Sequence, residues 1–185
     1  SIPDNNFEQY LISLGLDDIL DNSVLTSSID TVTSLDPASW GIWNMSGIED
    51  FTSLEYLRTE AYTTVIYYED DTYWELDLSS LTMLKELHLI GLSDLDSLNL
   101  TNPNIEKLVI NYCDFPDILE YTLDLSIYPE LKHFETYLFW KPKTLDFSSN
   151  NKLEHIQISE MGLFNLIFPD TNEVLIDTLI LESIY

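Results

Sequence analysis

Basic residues are scarce in this chain of 185 residues. Seven lysines and arginines stand against 33 aspartates and glutamates, and the formal net charge is -26 at pH 7. Such a charge repels phosphate backbones and anionic lipid headgroups, so neither nucleic acid nor a membrane surface is expected as a partner. The acidity is compatible with a cationic partner, with divalent ions or with solubility alone, and solubility is the simplest interpretation.

Cysteine and long apolar runs are also scarce. Cys113 is the single cysteine of the sequence, so an internal disulfide is excluded. The sequence has no run of about 18 apolar residues that could cross a bilayer. The chain starts at Ser1 with neither a methionine nor an apolar export segment, and we expect a trimmed mature domain. Because 45% of the residues are hydrophobic, stability is expected to come from a packed core.

The motifs of common enzyme classes are missing from the sequence. It contains no glycine-rich phosphate loop, no G-x-S-x-G, no H-E-x-x-H and no paired cysteine motif. Carboxylate pairs do occur, but 33 acidic residues make such pairs unavoidable. We therefore expect a protein that is not an enzyme and needs no cofactor.

Two interleaved leucine patterns repeat along the chain. The first, L-x-x-L-x-L, recurs at steps of 30, 21, 26, 22 and 23 residues, and the second, close to L-x-L, recurs at steps of 22, 25, 22 and 21. The first pattern starts at Leu54, Leu84, Ile105, Leu131, Leu153 and Ile176, and the second at Leu76, Leu98, Leu123, Leu145 and Leu166. Two independent patterns with one period predict a repeat fold.

Each repeat is expected to form one coil, with a short strand on each of two sides and alternate residues pointing inward. A single coil cannot bury its leucines, whereas stacked coils bury them as a continuous column. The sequence therefore predicts a solenoid of short parallel strands in five to six coils of about 22 residues each.

The patterns resemble the leucine-rich repeats of secreted and cell-surface proteins from Bacteroides-like and Flavobacterium-like bacteria. In that group the array opens with a cap similar to residues 2–11 (IPDNNFEQYL), followed by segments like 32–36 and 47–57. The resemblance covers nearly all of the chain. It implies export, an extracellular or cell-surface location, and binding rather than catalysis.

Residues 1–50 are predicted to form an N-terminal cap and residues 51–185 the leucine-rich repeats, within a single domain. A helix is expected over about residues 4–14, with Asp4 as its N-cap and Gly15 at its end. Phe7, Leu11 and Leu14 have helical spacing and should cover the first coil.

Related proteins often carry a loop resembling a calcium-binding EF-hand loop directly after this helix. The aligned segment here is 17–28, in which Asp17 and Asp21 match ligand positions. Ile19, Asn22 and Ser28 replace a ligand, the turn glycine and the bidentate glutamate, so calcium is not expected.

Leucine-rich repeats commonly place asparagine or cysteine three residues after the strand, where the side chain satisfies backbone groups of the corner. The corresponding residues here are Tyr62, Leu92, Cys113, Phe139, Met161 and Ile184. Because only Cys113 conforms, we predict an apolar column at this corner and a structural role for the thiol.

Two charged columns follow if the coils are in register, because equivalent residues then stack about 4.8 Å apart. The first column largely alternates in sign and is expected to fix the stacking: Glu55, Lys85, Glu106, Lys132, Glu154 and Asp177. The second column is acidic: Asp77, Asn99, Asp124 and Asp146. Cation binding would relieve the repulsion in the second column, but we favour hydrated side chains that turn away from each other.

All three histidines fall in two further columns on the exposed side of the predicted strands. One column is Tyr56, Glu86, Lys107, His133, His155 and Thr178, and the other is Arg58, His88, Val109, Glu135, Gln157 and Ile180. Two histidines and a carboxylate could hold a metal ion, but a flat sheet disfavours the convergent geometry, and no metal is predicted. We predict a ligand-binding face with these candidate residues: Tyr56, Arg58, His88, His133, Glu135 and His155.

Aromatic insertions at 65–74 and 137–143 interrupt the period, and insertions in solenoids often carry binding residues. Their candidates are Tyr67, Tyr68, Tyr73, Tyr137 and Trp140, which could stack on sugars or peptides or pack within their own loops. The preferred hypothesis is a binding module for a protein or a glycan. The alternative is a structural or adhesive spacer without a dedicated ligand site.

The last coil is too apolar to face water, and only four residues follow Leu181. Its apolar residues are Leu175, Ile176, Leu179, Ile180 and Ile184. Because repeat arrays need a polar terminal cap, we predict that another subunit or the chain's own terminus covers this coil.

Overall fold

The architecture was obtained as a computed structural model that describes residues 1–42, 44–60, 74–92, 95–99, 102–113, 121–138, 142–160, 162, 165–170 and 176–182. Two α-helices and a 3-10 helix lie near the amino terminus: α1 (Asn5–Ser13), α2 (Thr26–Ile29) and the 3-10 turn Ile48–Asp50. The strands are β1 (Ser34–Leu35), β2 (Tyr56–Glu60), β3 (Trp74–Asp77), β4 (Glu86–Ile90), β5 (Leu95–Asn99), β6 (Lys107–Asn111), β7 (Tyr121–Asp124), β8 (His133–Tyr137), β9 (Pro142–Asp146), β10 (His155–Ser159), β11 (Asn165–Ile167) and β12 (Thr178–Glu182).

The strands form a parallel solenoid with a large sheet on one side. Seven strands pair in the order β1-β2-β4-β6-β8-β10-β12. The other side consists of a two-stranded sheet, β3-β5, and a three-stranded sheet in the order β11-β9-β7. Every strand of the large sheet pairs in parallel with a strand from the next coil, which confirms the predicted leucine-rich-repeat solenoid.

The inward-facing residues of the large sheet form an unbroken apolar column. Their pairing register is Leu57, Leu87, Leu108, Phe134 and Ile156, and all five are fully buried. Residues of the second pattern meet them from the opposite side, as where Phe134 and Phe147 pack with ring centroids 5.4 Å apart. Each side chain of this size stabilises the fold by about 1.5–3 kcal/mol when fully buried. Stacking therefore supplies the core that one coil lacks.

The sheet starts before the predicted boundary between cap and repeats. β1 lies within residues 1–50 and pairs with β2 through Ser34 opposite Tyr56 and Leu35 opposite Leu57. The backbone N–H of Tyr56 and that of Glu55 both donate to the carbonyl of Thr33, at 3.0 and 2.8 Å. The division at residue 50 stays a prediction, but hydrogen bonding is continuous across it.

Helix α1 has the predicted N-cap. The Asp4 carboxylate accepts from the backbone N–H groups of Asn6 and Phe7 at 2.8 and 3.0 Å. Its other oxygen accepts from the N–H of Asn44 at 2.9 Å, so the same side chain also ties the helix to the first coil. Gly15 has a φ of +72° directly after the helix, as expected for a residue that ends it.

The predicted apolar face of the helix was wrong at one position. Phe7 and Leu11 are fully buried, but Leu14 is 49% exposed, because it is the C-cap, where the helix has ended. Tyr10 takes its place against the coil. The Tyr10 hydroxyl accepts from the N–H of Asp36 at 2.9 Å, and burial raises the pKa of this phenol.

The corners after four strands of the large sheet, β4, β6, β8 and β10, have a left-handed backbone. Gly91, Tyr112, Leu138 and Glu160 occupy equivalent positions with φ of 69°, 57°, 49° and 54°. Each donates its N–H to a carbonyl of the next coil, at 2.8 to 3.2 Å. This shared conformation turns the chain away from the sheet while keeping adjacent coils hydrogen-bonded.

The predicted apolar column at this corner is described at two of its positions. Leu92 and Cys113 are buried, and the Cys113 thiol lies 3.5 Å from the carbonyl of Leu89 and 3.4 Å from that of Asn111. The other four predicted members, Tyr62, Phe139, Met161 and Ile184, lie outside the described residues.

Buried asparagines do occur, but at the opposite corner. Asn102 and Asn150 precede their L-x-x-L-x-L patterns by three residues. The Asn150 amide donates to the carbonyls of Leu125 and Tyr128 at 2.9 and 2.6 Å, and the Asn102 amide donates to that of Leu81. The predicted apolar column concerned only the corner after the strand, and the asparagines at the opposite corner were not predicted.

The last described coil has an open apolar end. Leu179 and Leu181 are 49% and 47% exposed, although their register partners Ile156 and Ile158 are fully buried. The predicted residues Leu175 and Ile184 lie outside the described part. The covering of this coil stays a prediction.

Candidate functional site

The outward side of the large sheet carries the two histidine-bearing columns in the predicted register. We call these twelve residues the strand face. Tyr56, Glu86, Lys107, His133, His155 and Thr178 are consecutive partners, as are Arg58, His88, Val109, Glu135, Gln157 and Ile180. Eleven of these residues are only partly buried, so their polar groups remain accessible, while Val109 is buried.

The amino-terminal part of the strand face is an ion-paired aromatic cluster. The rings of Tyr56 and His88 lie 5.4 Å apart, and His88 Nε2 lies 2.7 Å from Glu86 Oε1. Lys107 Nζ lies 3.1 Å from the same oxygen. Burial on its own raises the pKa of Glu86, but the hydrogen bonds from His88 and Lys107 outweigh burial and leave that pKa lowered.

Arg58 is fixed in the same cluster by two carboxylates. Its Nη2 donates to Glu60 Oε2 at 2.9 Å, and its Nη1 lies 3.8 Å from Asp36 Oδ2. Burial, followed by the negative charges of Asp36 and Glu86, raises the pKa of the neighbouring Tyr56. The guanidinium of Arg58 is thus held by carboxylates of the same chain.

His133 and His155 are neighbours on adjacent strands. Their ring centroids lie 5.8 Å apart with an interplanar angle of 35°. Glu135 is placed one column away, in register with Gln157. Within the described residues, no three histidine, cysteine or acidic side chains come together as a metal site. The two histidines are thus candidate contact residues of the strand face.

Tyr112 was missed in the sequence and lies beside the predicted Tyr137. We call these two residues the tyrosine pair. Their ring centroids lie 5.1 Å apart in an edge-to-face arrangement, and the side chains are 55% and 38% exposed. Tyr137 belongs to the outward side of β8, and Tyr112 is the left-handed corner residue after β6. The pair extends the strand face at the carboxyl ends of its strands.

The predicted residues of the aromatic insertions lie outside the described part of the chain. This applies to Tyr67, Tyr68, Tyr73 and Trp140.

The alternating column has the predicted ion pairs between coils. Lys85 Nζ lies 2.8 Å from Glu55 Oε2, and Lys132 Nζ lies 2.6 Å from Glu106 Oε2. A shallow groove of about 310 Å³ runs beside them and is lined by Thr82, Met83, Lys85, Asn104, Glu106 and Glu130. The column thus bonds consecutive coils to one another.

The acidic column closes turns, which corrects the expectation that its side chains are free to turn away. Asp77 accepts from the N–H of Ser79 at 2.9 Å, and Asp124 and Asp146 accept in the same way from Ser126 and Ser148. Hydrogen bonds from the Ser79 side chain and backbone lower the pKa of Asp77. Asn44 makes the same bond to Ser46, so the motif starts one coil earlier than predicted.

The loop that resembles a calcium-binding loop is held by protein groups. The fully buried Glu8 accepts from the N–H groups of Asp21 and Ser23 at 2.9 and 3.0 Å. Asp21 itself accepts from the N–H and hydroxyl of Ser23 at 3.0 and 2.6 Å. These bonds organise the turn with backbone donors.

The solved structures that this chain is similar to include two proteins from Listeria monocytogenes. An internalin, InlF, aligns with 16% identity and a TM-score of 0.31 over 99% of this chain and 77% of its own. The functional domain of InlJ, which includes a cysteine ladder, aligns with 14% identity and a TM-score of 0.30 over 94% of this chain and 61% of its own. No family model and no curated protein matches the sequence.

No helix among the described residues is long and apolar enough to cross a membrane.

Proposed function

We propose that this chain is a non-enzymatic binding module, secreted or at a cell surface, that recognises a protein through the strand face and the tyrosine pair. The observation that supports this proposal is the exposure of two adjacent tyrosines at one end of an ordered row of polar and aromatic side chains. Tyrosine supplies a large contact area with little loss of conformational entropy on binding. A spacer has no need for such a cluster.

Rigidity of the strand face also supports recognition. Its side chains stand on a parallel sheet with unbroken register from β2 to β12, and ion pairs hold Arg58 and Lys107 in place. Groups that are already positioned lose less freedom when a partner binds. We also propose that the chain is related to the leucine-rich repeats of secreted bacterial proteins, and the extracellular location follows from that relationship.

A binding screen tests the function. The chain would be immobilised and probed with a panel of extracellular proteins and a panel of glycans. The double variant Tyr56→Ser/His155→Ser alters the strand face, while Thr122→Ala is the matched control, an exposed strand residue on the opposite side of the solenoid. We expect a protein ligand whose affinity falls at least about tenfold in the double variant and is unchanged in the control.

Three other results would contradict the proposal in different ways. A blank in both panels would favour the structural or adhesive spacer. Binding to glycans alone would overturn the choice of a protein partner. A protein that binds the double variant as well as the wild type would move the contact surface away from the strand face.

A further inference from the structure

The tyrosine pair is held rigidly by the stacking of two coils. The backbone N–H of Tyr112 donates to the carbonyl of Tyr137 at 2.9 Å, and Tyr112 is fixed in the left-handed region with a φ of 57°. The edge-to-face arrangement directs the edge of one ring towards the other while both side chains remain accessible. The ring faces therefore form a preformed surface that needs little rearrangement to accept a ligand.

The surroundings of the pair are electronegative. Glu160 occupies the corner position of Tyr112 two coils further on. The pKa of Tyr137 is raised first by the Tyr112 phenol, then by burial and by the negative charge of Glu160. The carboxylate therefore contributes to the negative potential at Tyr137. The face of an aromatic ring is itself negative, and it attracts cations within about 6 Å.

The described basic residues are bound by acceptors of the chain itself. Arg58, Lys85, Lys107, Lys132 and Lys152 each pair with a carboxylate of the chain, at 2.5 to 3.1 Å. Lys143 Nζ donates to the carbonyl of Gly162 at 3.1 Å. With a net charge of -26, the molecule attracts positively charged partners.

We propose that the tyrosine pair is a recognition site for a cationic side chain, arginine above all, on the surface of the protein partner. This proposal rests on the proposed function and adds the chemistry of the partner. The planar guanidinium stacks on one ring, and the net negative charge of the molecule attracts it. A neutral sugar could stack on the same rings, but the electrostatic field would give it no advantage.

A peptide with alternating arginine and glycine, acetyl-(Arg-Gly)4-amide, is the probe for this site. The matching citrulline peptide keeps the shape of the side chain and removes its charge. Binding would be measured by calorimetry at about 0.15 M salt, where contacts between distant exposed charges are largely screened. The variants are Tyr112→Asn, Tyr137→Phe and Ile127→Asn. Asparagine tolerates the left-handed φ, and Ile127 is an exposed apolar residue elsewhere on the solenoid.

We expect the arginine peptide to bind the wild type, Tyr137→Phe and Ile127→Asn with similar affinity, because phenylalanine keeps the ring. Tyr112→Asn should weaken binding about fivefold or more, and the citrulline peptide should bind at least as weakly to the wild type. Equal binding to Tyr112→Asn and the wild type would overturn the proposal, since the acidic surface alone would then explain the affinity. Equal binding of the citrulline peptide would overturn it as well.

The screen described above separates this proposal from the proposed function. A protein ligand that is lost in Tyr56→Ser/His155→Ser but binds Tyr112→Asn with full affinity would leave the strand face as the contact surface and remove the cation site. A ligand lost in both variants supports both proposals.

Discussion

Single residues at the corners determine how closely the coils can stack. At the corners after β4, β6, β8 and β10, one residue has a positive φ, and among these four residues Gly91 alone is a glycine. A residue with a Cβ in this region is about 1–2 kcal/mol less favourable than in a right-handed helix. Tyr112, Leu138 and Glu160 therefore carry strain that the hydrogen bonds and packing of the neighbouring coils offset.

Exchanging residues at two of these corners should affect stability differently. We expect Gly91→Ala to lower the free energy of unfolding by about 1 kcal/mol, because alanine must adopt the left-handed conformation. Glu160→Gly should leave it unchanged or raise it by up to about 1 kcal/mol, because strain is relieved at the cost of backbone entropy. Urea unfolding followed by circular dichroism would measure both. A loss in Glu160→Gly as large as in Gly91→Ala would argue against a strained corner.

The buried amide of Asn150 provides a second test at the scale of the residue. Asn150→Leu places the side chain that Leu81 already has at the equivalent corner, so the change in volume is tolerable. The carbonyls of Leu125 and Tyr128 lose their donor, and we expect a destabilisation of about 1–3 kcal/mol in the same unfolding measurement. The exposed Asn151→Ala is the control and should have little effect. Equal stability of Asn150→Leu and wild type would show that these carbonyls find other donors.

At the scale of the element, the strands were predictable from the sequence and the corners were not. Alternation in a strand has a period of two, so the buried Leu57, Leu87 and Leu108 fix the register and the outward columns together. This logic ends where the strand ends. A sequence pattern does not reveal a left-handed backbone at a residue other than glycine, so the conformation of Tyr112 was not predictable. The spacing of the leucine patterns also did not predict that Tyr112 lies beside Tyr137.

The other differences have the same origin in chain ends and corners. Leu14 matched the helical period, but α1 ends at Ser13. The helical spacing therefore does not apply to Leu14, and its side chain is not on the buried face of the helix. The asparagine corner was sought after the strand, whereas Asn102 and Asn150 lie three residues before the next pattern. A search for polar residues at equivalent offsets on both sides of each leucine pattern would have found them.

We expect the contact between β4 and β6 on the strand face to stabilise the fold less at acidic pH than at neutral pH. The folded state lowers the pKa of Glu86 because His88 and Lys107 bond its charged form. This stabilisation is present above the carboxyl pKa of the unfolded chain, about 4.3, and is lost as the pH falls through the lower pKa of the folded state. We expect Glu86→Gln to be destabilised by up to about 1 kcal/mol at pH 7, a modest value for a partly exposed pair.

The measurement is the difference in unfolding free energy between wild type and Glu86→Gln at a series of pH values. That difference should shrink towards zero below about pH 4. Glu154→Gln, at a carboxylate of the neighbouring column, serves as a comparison for the general effect of removing one negative charge. A constant difference between pH 7 and pH 3 would mean that Glu86 contributes through packing and not through its charge.

At the scale of the whole molecule, the solenoid arranges one long outward surface, and the described lysines and Arg58 are bound by acceptors of the chain itself. Leucines of both patterns build the core, the alternating column bonds the coils, and serine turns close them. None of these elements requires the exposed tyrosine pair or the side chains of His133 and His155. Those side chains are therefore the ones for which binding, and not folding, is the best explanation.

Hydrogen–deuterium exchange with the tightest protein ligand from the screen would map the contact surface directly. Bound and free protein would be compared in the presence of saturating ligand. We predict that binding slows exchange in peptides that cover Lys107–Asn111 with the adjoining Tyr112 and His133–Tyr137. Protection confined to Tyr121–Asp124 and Pro142–Asp146, on the opposite side of the solenoid, would contradict recognition through the strand face.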